Sequence, residues 1–377
     1  MSLEIADVYI MQFEYPLAEW HLKQAIREAG KAMHSPTVAK SGGPGRGMSV
    51  HRLLAMAWEN LGFIYHARGR LSQALMAQNT AVENWKHEDG TNRSCCVKVF
   101  SGMVNTYLGK GEVSMAYDLA EVCLDIVEHS RAMCPLNKGV TLYTMGNVYE
   151  HMGDSENAMK YCAHAHRIFE KHNKNWFHVS LHVKALVLIA DIHRKRGDYT
   201  KALSLYFMAL EISKEFYGFK HPQVTMILNY VADTMKRRGD KGDEPRLIAT
   251  KSLKTTRALF GEDHWQTALP MGLLADIMQQ RGMSADIMQK RREYQKAIFL
   301  FTDAIEIVKK HSSSPRLVLA EWYYKLAFVY EQVGDLRNMM DALEHSRESP
   351  IEDPELVDMV EEAIARARSV TQPDAQN

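Results

Sequence analysis

Long apolar runs are missing from this chain of 377 residues. No stretch approaches the ~18 consecutive apolar residues of a membrane-spanning helix, so we expect no transmembrane segment. The first residues, MSLEIADVYIMQF, have neither a basic region nor a cleavage pattern, and we expect no secretory signal peptide.

An excess of charge of either sign is also missing. Lys and Arg together number 46, Asp and Glu together number 46, and the formal net charge is zero. Proteins that bind nucleic acids or anionic membrane surfaces carry a basic excess. The composition therefore argues against nucleic acid and membranes as partners.

Cysteine is scarce and follows no pairing pattern. The chain has five cysteines, an odd number, and no Cys-x-x-Cys motif. This usage is typical of a reducing compartment and predicts a cytoplasmic protein. Cys123 and Cys162 fall at positions where small apolar core residues are expected.

Motifs that carry catalysis are missing as well. The 17 histidines show no HExxH or zinc-ligand spacing, and no GxSxG nucleophile motif occurs. Residues 35–48, SPTVAKSGGPGRGM, lack the Gly-Lys-Ser/Thr end of a phosphate-binding loop, so we interpret them as a surface loop. We predict no enzyme, no cofactor and no metal site, with an enzyme of unrecognised type as an alternative.

Regularly spaced glycines organise the chain. They recur at intervals of 42 to 44 residues, with a final interval of 52, and are Gly69, Gly111, Gly153, Gly197, Gly239, Gly282 and Gly334. Asp follows the glycine at four of these turns, which suits a left-handed helix end followed by a new N-cap. A fixed period of this size predicts a helical solenoid.

A packing pattern recurs in register with these turns. Trp58-x2-Leu61-Gly62-x2-Tyr65, followed by Ala74 and Ala81, resembles the tetratricopeptide repeat. Gly62 and Ala74 are expected where two helices cross at close range. The position of Gly62 recurs as Val104, Gly146, Ala190, Ala232, Ala275 and Ala327.

The longer second helix and link, as in ALEISKEFYGFKHPQV, resemble the kinesin light chain type of this repeat, most clearly over residues 183–265. The resemblance implies an all-α fold, a right-handed superhelical solenoid of helix pairs whose role is protein binding. The heptad coiled coil through which a kinesin light chain binds its heavy chain is absent from the sequence, so a motor subunit is not predicted.

Domain boundaries follow from the repeat. We predict a degenerate first repeat over residues 1–34, the loop at 35–48, the solenoid over 49–347, a capping helix over 354–368 and a disordered tail over 369–377. The segments ADIMQQRGMS and ADIMQKRREY form a tandem duplication at 275–294. We interpret it as a lengthened first helix or a helical bulge, with a recognition protrusion as the alternative.

The resemblance also implies a concave groove lined by the first helix of each pair. The predicted peptide-binding groove comprises Asn60, Phe63, Asn105, Asn147, Asp191, Asn229, Asp233 and Asp276. The Asn amides suit the backbone of an extended peptide, and the three Asp predict a preference for a basic or neutral segment. The alternative for the Asp residues is pairing along their own helices, as between Asp191 and Arg194.

These features predict a scaffold or adaptor that binds a partner peptide. A peptide-sensing subunit that controls a partner enzyme through a change in the superhelix is the second hypothesis. Some tetratricopeptide proteins clamp the EEVD tails of chaperones with Lys-x3-Asn, Asn and Lys-x3-Arg. The matching positions here are Glu59/Phe63, Asn105 and Tyr143/Asn147, and since only Asn105 fits, no chaperone tail is predicted.

Overall fold

The computed structural model describes residues 2–12, 14–33, 49–89, 96–129, 134–172, 175–240, 242–284, 287–311, 318–351 and 353–371. These ranges contain the following helices: α1 (Ser2–Met11), α2 (Tyr15–Met33), α3 (Val50–Ala67), α4 (Leu71–Asp89), α5 (Val97–Gly109), α6 (Val113–His129), α7 (Pro135–His151), α8 (Ser155–His172), α9 (Trp176–Lys195), α10 (Tyr199–Tyr217), α11 (Pro222–Arg238), α12 (Glu244–Phe260), α13 (Trp265–Ser284), α14 (Ile287–Lys310), α15 (Val318–Val333), α16 (Leu336–Glu348) and α17 (Pro354–Thr371). In this part of the chain, no helix is long and apolar enough to cross a membrane.

Short turns join the helices, and six of the seven predicted glycines make them. Their φ angles lie between 70° and 87°, the left-handed region that costs other residues energy. At the first of these turns the Gly69 amide donates to His66 O at 2.9 Å and the Arg70 amide to Tyr65 O at 2.8 Å. This pair of bonds satisfies carbonyl groups at the end of α3 and stops the helix.

The aspartates after the turn glycines cap the next helix. Asp154 Oδ1 accepts a hydrogen bond from the Asn157 amide at 3.0 Å, and Asp335 Oδ1 accepts one from the Asn338 amide at 3.2 Å. These bonds satisfy backbone donors that the first turn of a helix leaves without partners.

The prediction of a turn at Gly282 is wrong. Helix α13 continues through Gly282 to Ser284, and an added Cβ at Gly282 would overlap the ring of Tyr294 on α14. Helix α14 has 24 residues against 20 in α13. Within the duplicated segment, residues 275–284 thus form the end of α13 and residues 287–294 the start of α14.

Helices of one pair cross where the first of them has a small residue. A Cβ added to Gly146 of α7 would lie 3.1 Å from Ala158 O on α8 and still closer to the Sγ atom of Cys162. Cys162 and Cys123 are fully buried, and burial raises the pKa of Cys123 to about 12, so these thiols are neutral packing groups. The equivalent residues of the other pairs are also buried, and Val104 is the one that is not small: Gly62, Val104, Ala190, Ala232, Ala275 and Ala327.

The chain divides into two compact units. Unit 1 comprises residues 1–198 with 211–216, and unit 2 comprises residues 199–210 with 217–377. Each has its own core: unit 1 buries residues such as Leu22, Leu61, Val104 and Val148, and unit 2 buries residues such as Met271, Phe301, Trp322 and Ile364.

The two ends of the predicted solenoid are helical. Helices α1 and α2 bury Ala6, Ile10, Ala18 and Leu22, as expected of a first repeat. Helix α17 packs Val360 and Ile364 into the core of unit 2 and continues to Thr371, three residues beyond its predicted end. The predicted loop at 35–48 and the tail from residue 372 lie outside the described residues.

Two glycine substitutions test the helix crossing. Gly146→Ala should destabilise the protein by about 1–3 kcal/mol, because its Cβ has no room beside α8. Gly30→Ala in α2 should instead stabilise it by about 0.5–1 kcal/mol, because nothing lies within 4 Å and Ala favours helix. Urea titrations followed by circular dichroism measure both changes. Equal stability of the two variants would show that α7 and α8 do not cross at Gly146.

Candidate functional site

Unit 1 contains a cavity of about 370 Å³. Its lining comes mainly from the first helices α3, α5, α7 and α9, which is the face that the sequence predicted as a groove. The residues that line it are Glu59, Asn60, Phe63, His66, Gln78, Lys98, Val99, Ser101, Gly102, Asn105, Leu108, Gly109, Tyr143, Asn147, His151, Trp176, Phe177, Ser180, Leu181 and Lys184.

Two of the predicted groove residues form an amide pair in this cavity. Asn105 and Asn147 each follow the small crossing residue of their helix by one position, and Asn147 Nδ2 donates to Asn105 Oδ1 at 3.0 Å. Each amide group has two donor hydrogens and an acceptor oxygen. The Asn147 oxygen and the Asn105 amide hydrogens are therefore the groups of this pair left to bond a ligand.

Two further predicted residues, Asn60 and Phe63, line the same cavity. Asn60 Nδ2 donates to Asp7 Oδ1 of α1 at 2.9 Å, and the Asn60 side chain is buried, so this amide holds α1 against α3. The ring of Phe63 meets Trp176 edge to face with 5.7 Å between centroids, which forms an aromatic wall.

Glu59 and Lys98 form an ion pair at the edge of the cavity. Lys98 Nζ lies 2.5 Å from Glu59 Oε1 and 4.7 Å from the centroid of the Phe177 ring. The charges of the pair cancel, and the ammonium also interacts with the face of the ring.

Sequence reasoning missed two lysines that line the cavity, Lys98 and Lys184, and Lys184 has a different environment from Lys98. The side chain of Lys184 faces the cavity. The surrounding protein desolvates the ammonium, which lowers the pKa of Lys184. Burial and the nearby charge of Lys184 lower the pKa of His66. In the described part of unit 1, no carboxylate lies within ion-pairing distance of Lys184.

A signal for Lys184 was present in the sequence. Lys98 and Lys184 both stand six residues before the small crossing residue of their helices, Val104 and Ala190. This second equivalent position lies nearer the start of the helix and faces the same cavity. Gln78, also missed, reaches the cavity from α4 because Gly62 and Gly102 lack side chains there.

The remaining predicted residues lie elsewhere and do not line this cavity. Asp191 in unit 1 pairs with Arg194 at 2.9 Å. In unit 2, Asp233 pairs with Arg237 at 2.8 Å and with Lys236 at 3.1 Å, and Asn229 has a buried amide oxygen.

Asp276, also in unit 2, is buried in an ion-pair network. It accepts from Lys236 and, at 2.8 Å, from Lys325. Burial raises the pKa of Asp276, but the charges of Lys325 and Lys236 outweigh burial and hold that pKa below its usual value. Pairing along and between helices thus engages all three Asp, and the predicted preference for a basic or neutral segment stays a prediction without free carboxylates to support it.

The cavity in unit 1 offers binding chemistry. Across the described residues, no group of three or more His, Cys, Asp or Glu side chains is arranged to hold a metal ion. Amides, aromatic rings and one uncompensated ammonium can instead hold a polar chain with apolar side groups.

Comparisons with known proteins agree with this fold. Residues 140–172 and 185–216 each match a model of the tetratricopeptide repeat. A stretch of 104 residues is 30% identical to the 43 kDa receptor-associated protein of the synapse from Tetronarce californica, covering 28% of this chain and 24% of that protein. The chain thus matches about a quarter of the length of this curated relative.

Two solved structures resemble the fold. BtubC (BKLC) from P. vanneervenii has 18% sequence identity and a TM-score of 0.50, with 71% of this chain and 94% of that chain covered. NprR in complex with its cognate peptide NprX has 13% identity and a TM-score of 0.52, with 82% and 85% covered.

The ion pairs predict unequal effects of removing two of the aspartates. Asp276→Ala should destabilise the protein by on the order of 3 kcal/mol, because two lysines lose a buried partner. Asp191→Ala, which breaks a pair between adjacent turns of one helix, should cost less than about 1 kcal/mol.

The effect of Asp276 should also depend on pH. Its folded pKa is lowered, so its contribution is present above the unfolded pKa of about 4 and is lost as pH falls through the folded pKa. Urea titrations from pH 7 down to pH 3 should show that the difference in free energy of unfolding between the native protein and Asp276→Ala becomes smaller. A gap that is constant with pH would contradict the assigned ion pairs.

Proposed function

We propose that this chain, in which residues 140–172 and 185–216 match the tetratricopeptide repeat, is an adaptor that binds an extended segment of a partner protein in the unit 1 cavity. The observation that carries the proposal is the hydrogen-bonded pair Asn105 and Asn147 in a concave site between an aromatic wall and Lys184. The proposed role is binding and not catalysis, and its place is the cytoplasm, where the free thiols stay reduced.

The amide pair suits the backbone of an extended peptide. A peptide unit offers one N–H donor and one carbonyl acceptor, and the Asn147 oxygen and Asn105 amide hydrogens complement them. Phe63 and Trp176 supply a wall for an apolar side chain of the ligand. Backbone bonds give affinity to many sequences, and the aromatic wall adds selectivity.

The charges of the cavity favour a neutral or acidic segment. The charges of Glu59 and Lys98 cancel one another. Lys184 adds a positive charge close to His66, whose pKa burial and this charge lower. A basic residue placed beside Lys184 would be repelled in a partly desolvated site. We therefore do not extend the predicted preference for basic segments to this cavity.

A peptide-sensing regulator is the second candidate. The similarity to NprR in complex with its cognate peptide favours it, because that fold accommodates a peptide. Such a regulator would change its solution dimensions when peptide binds, whereas a passive adaptor would not. Small-angle scattering with and without a bound peptide separates the two roles.

Substitution of the amide pair tests the proposed site. Peptides selected from a display library by the full chain should lose at least about tenfold in affinity to Asn105→Ala/Asn147→Ala, since each lost hydrogen bond contributes about 1 kcal/mol. Asn79→Ala on the exposed face of α4 is the matched control and should leave affinity unchanged. Fluorescence anisotropy with the labelled peptide provides the affinities.

Substitution of tryptophans is a second test of the proposed peptide site. Trp176→Ala should weaken binding of the same peptide. Trp20 is 56% exposed on α2 and lies outside the cavity, so Trp20→Ala should leave binding unchanged. Selected peptides that bind both amide and aromatic variants as tightly as the native chain would place the binding surface elsewhere.

A further inference from the structure

Unit 2 has a cavity of its own, of about 450 Å³. It lies among α13, α15 and the segment that enters α17, and its chemistry differs from that of unit 1. Apolar walls are formed by Tyr324, Phe328, Ile351, Leu356 and Met359. Phe328 stands one residue after Ala327, the position that the sequence predicted to face a groove.

Carboxylates outnumber cations around this cavity. Glu321, Asp353 and Glu355 line it, and all three are exposed. The cation in the lining is Lys325, whose ammonium lies 2.6 Å from Glu321 and 2.8 Å from Asp276. The charges of Lys236 and Lys325 balance those of Asp276 and Glu321, so Asp353 and Glu355 leave a net negative charge at the rim.

A buried acceptor points to the same ligand chemistry. Gln279 lines the cavity and is 9% exposed, and its Oε1 atom is buried without a hydrogen-bond donor in the described part of the chain. A buried carbonyl oxygen without a donor costs free energy, which a donor on a ligand would recover. The missing group is therefore an N–H or O–H.

We propose that this cavity binds a second partner segment, one that carries an arginine or lysine side chain between apolar residues. The cation donates hydrogen bonds to Gln279 Oε1 and faces the carboxylate of Glu321. Its apolar neighbours pack against Phe328 and Leu356. This ligand is basic, whereas the segment proposed for unit 1 is neutral or acidic. Each of the two sites can therefore be confirmed or refuted without the other.

A designed peptide library tests the proposal directly. The probes are fluorescein-labelled dodecapeptides of Leu, Phe, Ser and Gly in random order, with Arg, Lys, citrulline or Glu at the centre. The full chain should retain the Arg and Lys sets. Replacing Arg by citrulline, which keeps the shape and removes the charge, should weaken binding about tenfold, as loss of a charged hydrogen bond does.

Variants locate the bound peptide. Glu321→Gln should weaken the Arg peptide about tenfold, and this half-exposed side chain can be changed without disturbing the core. Gln279→Leu should also weaken it. Glu344→Gln, at an exposed site on α16 outside the cavity, and Asn105→Ala/Asn147→Ala in unit 1 should leave its affinity unchanged.

The following results would overturn the proposal. They are retention of no Arg or Lys peptide, equal binding of the citrulline or Glu peptides, and equal binding by native, Glu321→Gln and Gln279→Leu chains. Loss of binding in the unit 1 variant but not in Glu321→Gln would assign the basic peptide to the other cavity and likewise refute the assignment.

Discussion

Close approach of two helices at a small residue is the interaction on which the structure depends. Where α7 crosses α8, Gly146 leaves no space for even one methyl group beside Cys162 and the Ala158 carbonyl. Interiors packed at crystal-like density tolerate little added volume at such points. Since the small residue recurs through the chain, one local constraint sets how each helix pair forms and which face its first helix presents.

That constraint also determines the chemistry of the two cavities. Residues one position after the small residue face inward, which brings Asn105 and Asn147 into hydrogen-bonding contact in unit 1. At the same position in unit 2, Asp276 instead forms ion pairs with Lys236 and Lys325, which link α13 to α11 and α15. Equivalent positions are therefore proposed to bind a ligand in unit 1, whereas in unit 2 Asp276 stabilises the fold through its two ion pairs.

The sequence was sufficient for the repeat and most turns, and four of the eight predicted groove residues line the unit 1 cavity. A left-handed turn needs glycine and a close helix crossing needs a small residue. Both are requirements on single positions, so the spacing of these residues in the sequence predicted where turns and crossings lie. Gly282 was misplaced because the duplicated residues keep helical character through it, and a turn needs a break as well as a glycine. The pairing of Asp276 with Lys325 was not predicted because the two residues lie 49 positions apart in sequence. Lys184 was missed because it lies at a second position that faces the cavity.

A double-mutant cycle between Gly146 and Cys162 tests the helix crossing most directly. If the added methyl of Gly146→Ala meets the Cys162 sulfur, then Cys162→Ala should recover part of the lost stability. The measured free energies of unfolding should then show a favourable coupling of about 1 kcal/mol or more between the two changes. Additive effects, within about 0.3–0.5 kcal/mol, would contradict the account, because they would mean that the two residues do not share one crowded contact.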